Sequence, residues 1–123
     1  MRCVEVGASA AGISCAKTLR ELNKDVEITL ISKDEYVVSR CILHHYIEDV
    51  RSIDDLNFAP YDFFKVYGVK WIKGREVTKI DPKEHKLSLD NGEEVEYDKV
   101  CLATGSSSFI PPIENLREAK NVV

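Results

Sequence analysis

Two apolar rhythms run along the chain, and the change from one to the other outlines its architecture. Arg2 to Val6 is short and rich in apolar residues, which predicts a strand. In Ala11 to Leu22 the apolar positions Ala11, Ile13, Ala16, Leu19 and Leu22 recur near helical spacing, so this stretch predicts an amphipathic helix. Val26-Glu27-Ile28-Thr29-Leu30-Ile31 is β-branched and mostly apolar, a second strand. Strand, helix and strand over residues 2–31 form a βαβ unit, which implies a parallel pair joined by a right-handed crossover.

The rhythm then loosens. Residues 32–67 read as loop and short helices: a loop from Ser32 to Arg40, then helices over Cys41–Ile47, Ile53–Phe58 and Pro60–Tyr67. Pro60 suits the start of the last, and Gly68 its cap. Residues 69–72 return as a strand. Over residues 76–97 the period shortens to three strands, broken by Asp81-Pro82 and by the hairpin signal Asp90-Asn91-Gly92; this predicts an antiparallel meander. Residues 98–105 form a buried strand ending in a Thr104-Gly105 turn, and 106–123 a tail that includes Pro111-Pro112.

Composition narrows the function classes. The 123 residues fit one domain at most. With 17 basic against 21 acidic residues and a net charge of -4, the chain lacks the basic stripe of a nucleic-acid binder. No apolar run approaches the ~18 residues that span a bilayer. The N-terminus runs into a glycine turn without a signal-peptide pattern, so a cytoplasmic location is expected. In that setting Cys3, Cys15 and Cys101 are expected to be small buried hydrophobes, while Cys41 falls near a loop.

The strongest chemical signal is Gly7-Ala8-Ser9-Ala10-Ala11-Gly12, set between the first strand and its helix. A dinucleotide pyrophosphate needs close backbone approach, several N–H donors and the positive end of a helix dipole. Gly7 permits the tight turn, and Gly12 lets helix and strand approach. Ser9 stands where glycine is usual, its hydroxyl a possible extra contact. The acidic residue that usually ends the second strand and binds a ribose is replaced by Ser32, followed by Lys33, Asp34 and Glu35. Ser32 is one candidate for the ribose; Asp34 or Glu35 reaching in from a shifted loop is another. Glu5 is out of place on a central strand, where an unpaired charge is costly; it must face the cofactor end, find a partner or destabilise the domain.

The order of these features resembles the FAD-dependent pyridine nucleotide-disulfide oxidoreductases. The resemblance is strongest to the branch of NADH oxidases, coenzyme A-disulfide reductases, rubredoxin reductases and the flavin segment of nitrite reductases. It rests on Val6 to Gly12, on Ile28 to Arg40 with Cys41 to Ile47, on the meander, and on Asp98 to Gly105 followed by Ile110-Pro111-Pro112. It implies a Rossmann-like FAD-binding α/β fold, with a central parallel sheet and a three-stranded meander, incomplete relative to the family.

Carried over by resemblance, Gly7, Ser9 and Gly12 border the FAD pyrophosphate, and Ala10, Ala11, Ser32 and Lys33 are expected among the cofactor-binding residues. Val77 meets the adenine through its backbone, and Ala103, Thr104 and Gly105 form the second flavin-site turn. Ser39-Arg40-Cys41 matches a segment where some relatives carry a redox-active cysteine and others an FAD-supporting arginine before proline. This chain has both Arg40 and Cys41, with a loop one residue shorter than in the cysteine-using relatives. Arg40 and a helix starting at Cys41 would favour a thiolate. The alternative for Cys41 is a small residue packed near the flavin ring.

Cys41, His44 and His45 share a helix face, but three local ligands fall short of a structural zinc site, and no metal is expected. His85 reads as an exposed turn residue.

The resemblance further implies an NAD(P)H-binding domain beyond residue 123, with the tail 106–123 leading toward it. It implies electron flow from NAD(P)H through FAD to a disulfide, oxygen or redox protein, and a fragment inactive alone. The alternatives are a stand-alone nucleotide-binding or interaction module, and an NAD-binding domain of another class. The strand near Val100 to Ala103 should pair with Arg2–Val6 and leave an unpaired edge, a route to a homodimer.

Overall fold

The computed structural model describes residues 1–107, 109 and 111–115. Within them the elements run β1 (Arg2–Val6), α1 (Ala10–Leu22), β2 (Glu27–Ser32), α2 (Leu43–Ile47), α3 (Phe63–Val66), β3 (Val69–Lys73), β4 (Val77–Asp81), β5 (Lys86–Leu89), β6 (Glu94–Glu96) and β7 (Lys99–Leu102). Short 3-10 turns cover Arg40–Ile42 and Asp54–Leu56. The fold is α/β, as the periodicities predict.

β1, β2, β3 and β7 form one sheet in the order β3-β2-β1-β7, every pairing parallel. The long connections between parallel neighbours are what place the sheet's two faces under cover. On one face Cys3, Ile28, Leu30 and Val69 pack with Ile13 and Ala16 of α1 and Phe63 of α3. On the other, Val4, Val6 and Ile31 meet Leu87, Leu89 and Tyr97 of the meander β4-β5-β6. The meander is antiparallel throughout, with a register shift between Val77 and Lys79.

Three sequence expectations need correction. Ala11 and Leu22 are exposed, so the buried stripe of α1 is only Gly12, Ile13 and Ala16. Leu19, also on the predicted face, is half-buried and packs against the same core. The helices expected over Ile53–Phe58 and Pro60–Tyr67 shrink to a 3-10 turn and to the four residues of α3. Asn57 accepts the Ala59 N–H at 2.9 Å through its side chain, a local turn that competes with helix. Cys3 is buried, but Cys15 and Cys101 are half-buried; all four cysteines are free.

Arg20 ties the layers together. Its guanidinium donates to the carbonyls of Tyr67 at 2.8 Å and Gly68 at 3.2 Å, which follow α3, and to Lys24 O at the end of its own helix. Gly68 adopts φ +57 there, the left-handed cap predicted for it. Ser108, Ile110 and residues 116–123 lie outside the described residues, and with them part of the predicted tail.

Candidate functional site

The carboxyl ends of β1, β2 and β7 and the start of β4 enclose a cleft of about 670 Å³. That lies within the ~300–1,000 Å³ of small-molecule and cofactor sites, at the strand ends where open α/β sheets place ligands.

Its first wall is backbone. β1 ends at Val6, and Gly7 turns with φ +114. A side chain at Gly7 would put its Cβ 2.2 Å from Ala103 O, and one at Gly12 would reach 2.0 Å from Gly7 O. Only glycines allow these three segments to meet, because both obstacles are backbone atoms. The meeting is held by Gly7 N–H to Ile31 O and Ala103 N–H to Val6 O, each 2.8 Å. The Ser9 hydroxyl donates to Ala103 O at 3.4 Å rather than capping its own helix. α1 therefore begins with no side-chain cap and no acidic residue in its first turn. Its first-turn N–H groups and positive dipole end are left for an anion.

Gly7, Ser9, Ala103 and Thr104 border the cleft. Ala10 and Ala11 are exposed and do not border the cleft, while Gly12 is buried against the Gly7 carbonyl. Gly105, at φ +69, turns the chain after Thr104. Arg40 crosses from the opposite side and donates to Ser106 O at 3.0 Å, fastening the Arg40 turn to the loop after β7.

The other end of the cleft is made of side chains. Ser32, Lys33, Asp34 and Val77 border it, as do Arg75 and Glu76, which the sequence reading did not single out. Their only sequence signal is adjacency to Val77. Lys33 and Glu76 pair at 3.4 Å across the mouth. Glu35 points elsewhere, lining a separate groove with Phe64, Trp71 and Lys73. Of the two alternatives to Ser32, only Asp34 reaches the cleft.

Cys41 is exposed and lies beside the cleft, which its neighbours Arg40 and Leu43 border. It sits in the middle of a 3-10 turn, two residues before α2, so the expected helix start at Cys41 is corrected. A short tight turn offers little dipole, and the Arg40 guanidinium is engaged with Ser106 O. The His44 and His45 rings lie tilted against each other, centroids 4.1 Å apart and planes 38° apart. Among the described residues no cluster of His, Cys, Asp or Glu is arranged to hold a metal ion.

Glu5, two residues before the glycine turn, is fully buried, and neither carboxylate oxygen has a hydrogen-bond partner among the described residues. It lies beside Cys101 on β7 and faces α1 rather than the cleft. Burial pushes its pKa up from the ordinary 4.5 to about 7, against a smaller opposing pull from the Cys15 thiol. Burial, then Glu5 and Cys101, push Cys15 up to about 12. Of the three outcomes open to Glu5, the fold takes the destabilising one.

The fold and this cleft define a Rossmann-type α/β unit of the kind shared by flavin- and nicotinamide-dependent oxidoreductases. Comparison with known proteins agrees and is more specific. The chain belongs to the pyridine nucleotide-disulphide oxidoreductase family, whose profile matches residues 1–123. An NADH oxidase of Methanocaldococcus jannaschii is 37% identical over 121 residues, 93% of this chain and 27% of that protein. An NADH-rubredoxin oxidoreductase of Clostridium acetobutylicum is 34% identical over 102 residues, 82% of this chain and 26% of the relative. The solved NAD-dependent persulfide reductase of A. fulgidus superposes with a TM-score of 0.88 at 30% identity, over 100% of this chain and 24% of that one. The chain thus spans about a quarter of the length of these relatives.

Proposed function

We propose that this chain holds the pyrophosphate and adenosine portion of FAD for an NAD(P)H-dependent flavoprotein oxidoreductase. One observation carries the reading: Gly7, Gly12 and Ala103 meet backbone to backbone, beneath an uncapped helix N-terminus that opens on a cofactor-sized cleft. When bound, FAD would supply the redox chemistry between NAD(P)H and a disulfide, oxygen or redox-protein acceptor. The chain's own residues bind and orient. The first-turn amides of α1 neutralise the diphosphate, Arg40 holds the loop after Thr104 in place, and the Val77 segment walls the adenosine end.

Cys41 is proposed as the redox cysteine of the complete oxidoreductase, beside rather than inside this cleft. There, Cys41→Ser abolishes disulfide or peroxide turnover; unchanged rates would remove it from the mechanism. The 123 residues contain one glycine turn of this type, so we expect no NADH oxidation by this chain alone. A cytoplasmic setting goes with this reading, and no helix among the described residues is long and apolar enough to cross a membrane.

A homodimer is proposed through β7, which has a strand neighbour on one side only among the described residues and exposes Leu102. A mass by light scattering that stays monomeric at every concentration contradicts it. The main test is reconstitution. Purified chain mixed with FAD and desalted should retain flavin absorbance near ~450 nm, a property of the ring. A chain that stays colourless and leaves FAD fluorescence unchanged favours the second reading, an interaction module without cofactor.

A further inference from the structure

The unpartnered Glu5 has two thiols for neighbours, and the path of α1 explains why. α1 follows β1 through the Gly7 turn and precedes the parallel strand β2, so it runs back along the sheet. In its first turn it comes close to the end of β7: a Cβ at Gly12 would stand 3.7 Å from the Ala103 Cβ. That lies within the ~3.5–4.5 Å between the two Cβ atoms of a disulfide. Cys15 is three residues further along the same helix face, and Cys101 two residues back on the same side of β7. The next level of contact therefore sets Cys15 over Cys101. Glu5 completes it from β1, as the register partner of Cys101.

The Cys15 thiol lies against both the Glu5 carboxyl and the Cys101 thiol. Both cysteines are free and only half-buried, and β7 has one strand neighbour among the described residues, so its edge is open beside Cys101. Glu5 beneath them is fully buried, with neither oxygen hydrogen-bonded among the described residues. No cation faces it. β2 sets Leu30 opposite, Cys3 lies two residues back on its own strand, and the exposed Lys99 stands opposite Cys3. A thiol proton is what this carboxylate has within reach to accept.

We propose that Cys15 and Cys101 form a dithiol that small disulfides oxidise, distinct from Cys41, with Glu5 as the base that takes the Cys15 proton. Cys101 Sγ, its proton lost to solvent, attacks one sulfur of a disulfide such as oxidised glutathione, and one glutathione leaves as thiolate. Cys15 Sγ then attacks the Cys101 sulfur while its proton passes to Glu5, and the second glutathione leaves as thiolate. Solvent protonates both leaving groups. Two protein thiols become one disulfide, and one oxidised glutathione becomes two thiols. Burial, with Glu5 and Cys101 beside it, pushes the Cys15 thiol up to about 12, so Cys15 attacks second and needs a base. The bond ties α1, whose N-terminus opens on the cleft, to β7, which leads to Ala103 in the cleft wall.

Thiol mapping tests this. After incubation with excess oxidised glutathione, alkylation and digestion, the intact chain should yield the Cys15 and Cys101 peptides joined. The oxidised chain should melt at least about 5 °C above the reduced one, because the bond constrains the unfolded state. Cys15→Ser should stop at a glutathione mixed disulfide on Cys101. Glu5→Gln should accumulate that adduct and close at least about 10-fold more slowly. It should also lose the rise in closure rate from pH 6 to 8 that a Glu5 ionising at about 7 gives the wild type. Cys15 and Cys101 left reduced, whether or not Cys41 is oxidised, overturn the site. A wild-type closure rate and pH profile in Glu5→Gln overturn the role of Glu5.

Discussion

The two ends of the cleft are built from different materials. At the glycine-turn end Gly7, Gly12 and Ala103 bring three backbones together, and neither glycine can be replaced by a larger residue without a backbone clash. At the other end, where the proposed reading places adenosine, the wall is side chains: a serine fixed by hydrogen bonds with Trp71 and the Asp34 carbonyl, a surface ion pair of Lys33 with Glu76, and Asp34 and Arg75. The difference teaches where rigidity and where selectivity reside. On the proposed reading, the backbone end would recognise charge and shape common to many nucleotides, and the side-chain end would distinguish among them.

The contrast breaks most violently at the glycines. Gly12→Ala adds a methyl 2.0 Å from Gly7 O, where nothing flexible can yield. It should cost about 3 kcal/mol or more, well beyond the ~1 kcal/mol that alanine ordinarily gains over glycine in a helix. Chemical denaturation measures this, and a variant as stable as wild type would show that the turn is looser than described.

Glu5 is the soft point beneath the rigid end. Its folded pKa of about 7 lies above the ordinary 4.5, so between these values the folded chain keeps a proton that the unfolded chain loses. Stability is full below pH ~4.5, falls as pH rises and levels off above ~7, a loss of about 3 kcal/mol. Glu5→Gln should flatten this slope, seen in urea midpoints at pH 5, 6, 7 and 8. A wild-type midpoint that rises over the same range contradicts the burial of an unpartnered carboxyl.

Smaller effects sharpen the comparison. Arg40→Ala releases the Ser106 carbonyl and should weaken FAD binding about 5-fold with little change in the melting temperature. An equal loss of stability would make Arg40 a fold residue instead. Lys33→Ala removes an ion pair whose side chains are 75% and 55% exposed, and should alter nucleotide affinity less than about 3-fold, with the difference vanishing at high salt. A large, salt-independent loss would move Lys33 from the rim into direct ligand contact.

The same contrast explains what could be read from the sequence. β1 over Arg2–Val6 follows from a short apolar run stopped by glycine, and α1, β2 and the meander fall within a residue or two of their predicted bounds. These are local signals, and Gly7 to Gly12 is local too. The adenosine end is not. Nothing near Ser32 in the chain announces Trp71, which arrives through the β2–β3 pairing. Arg75 and Glu76 reach the cleft because of where β4 begins. Between Ser32 and Tyr67 the helices are shorter than the sequence predicts, for a related reason. Few residues there are buried, so apolar periodicity carries little information, and side-chain turns such as that of Asn57 take over. The sequence marks Glu5 as out of place, but only the packing of α1 over β1 and β7 reveals that its carboxylate lacks a hydrogen-bond partner among the described residues.

The most direct test of the cleft as a dinucleotide site is an amide-resolved NMR titration of the chain with FAD. The account predicts that shifts concentrate at Ser9 to Gly12, at Thr104 and Gly105, and at Ser32 to Asp34. An unperturbed glycine turn at saturating FAD, with changes confined to the groove around Glu35, Phe64 and Trp71, would contradict it.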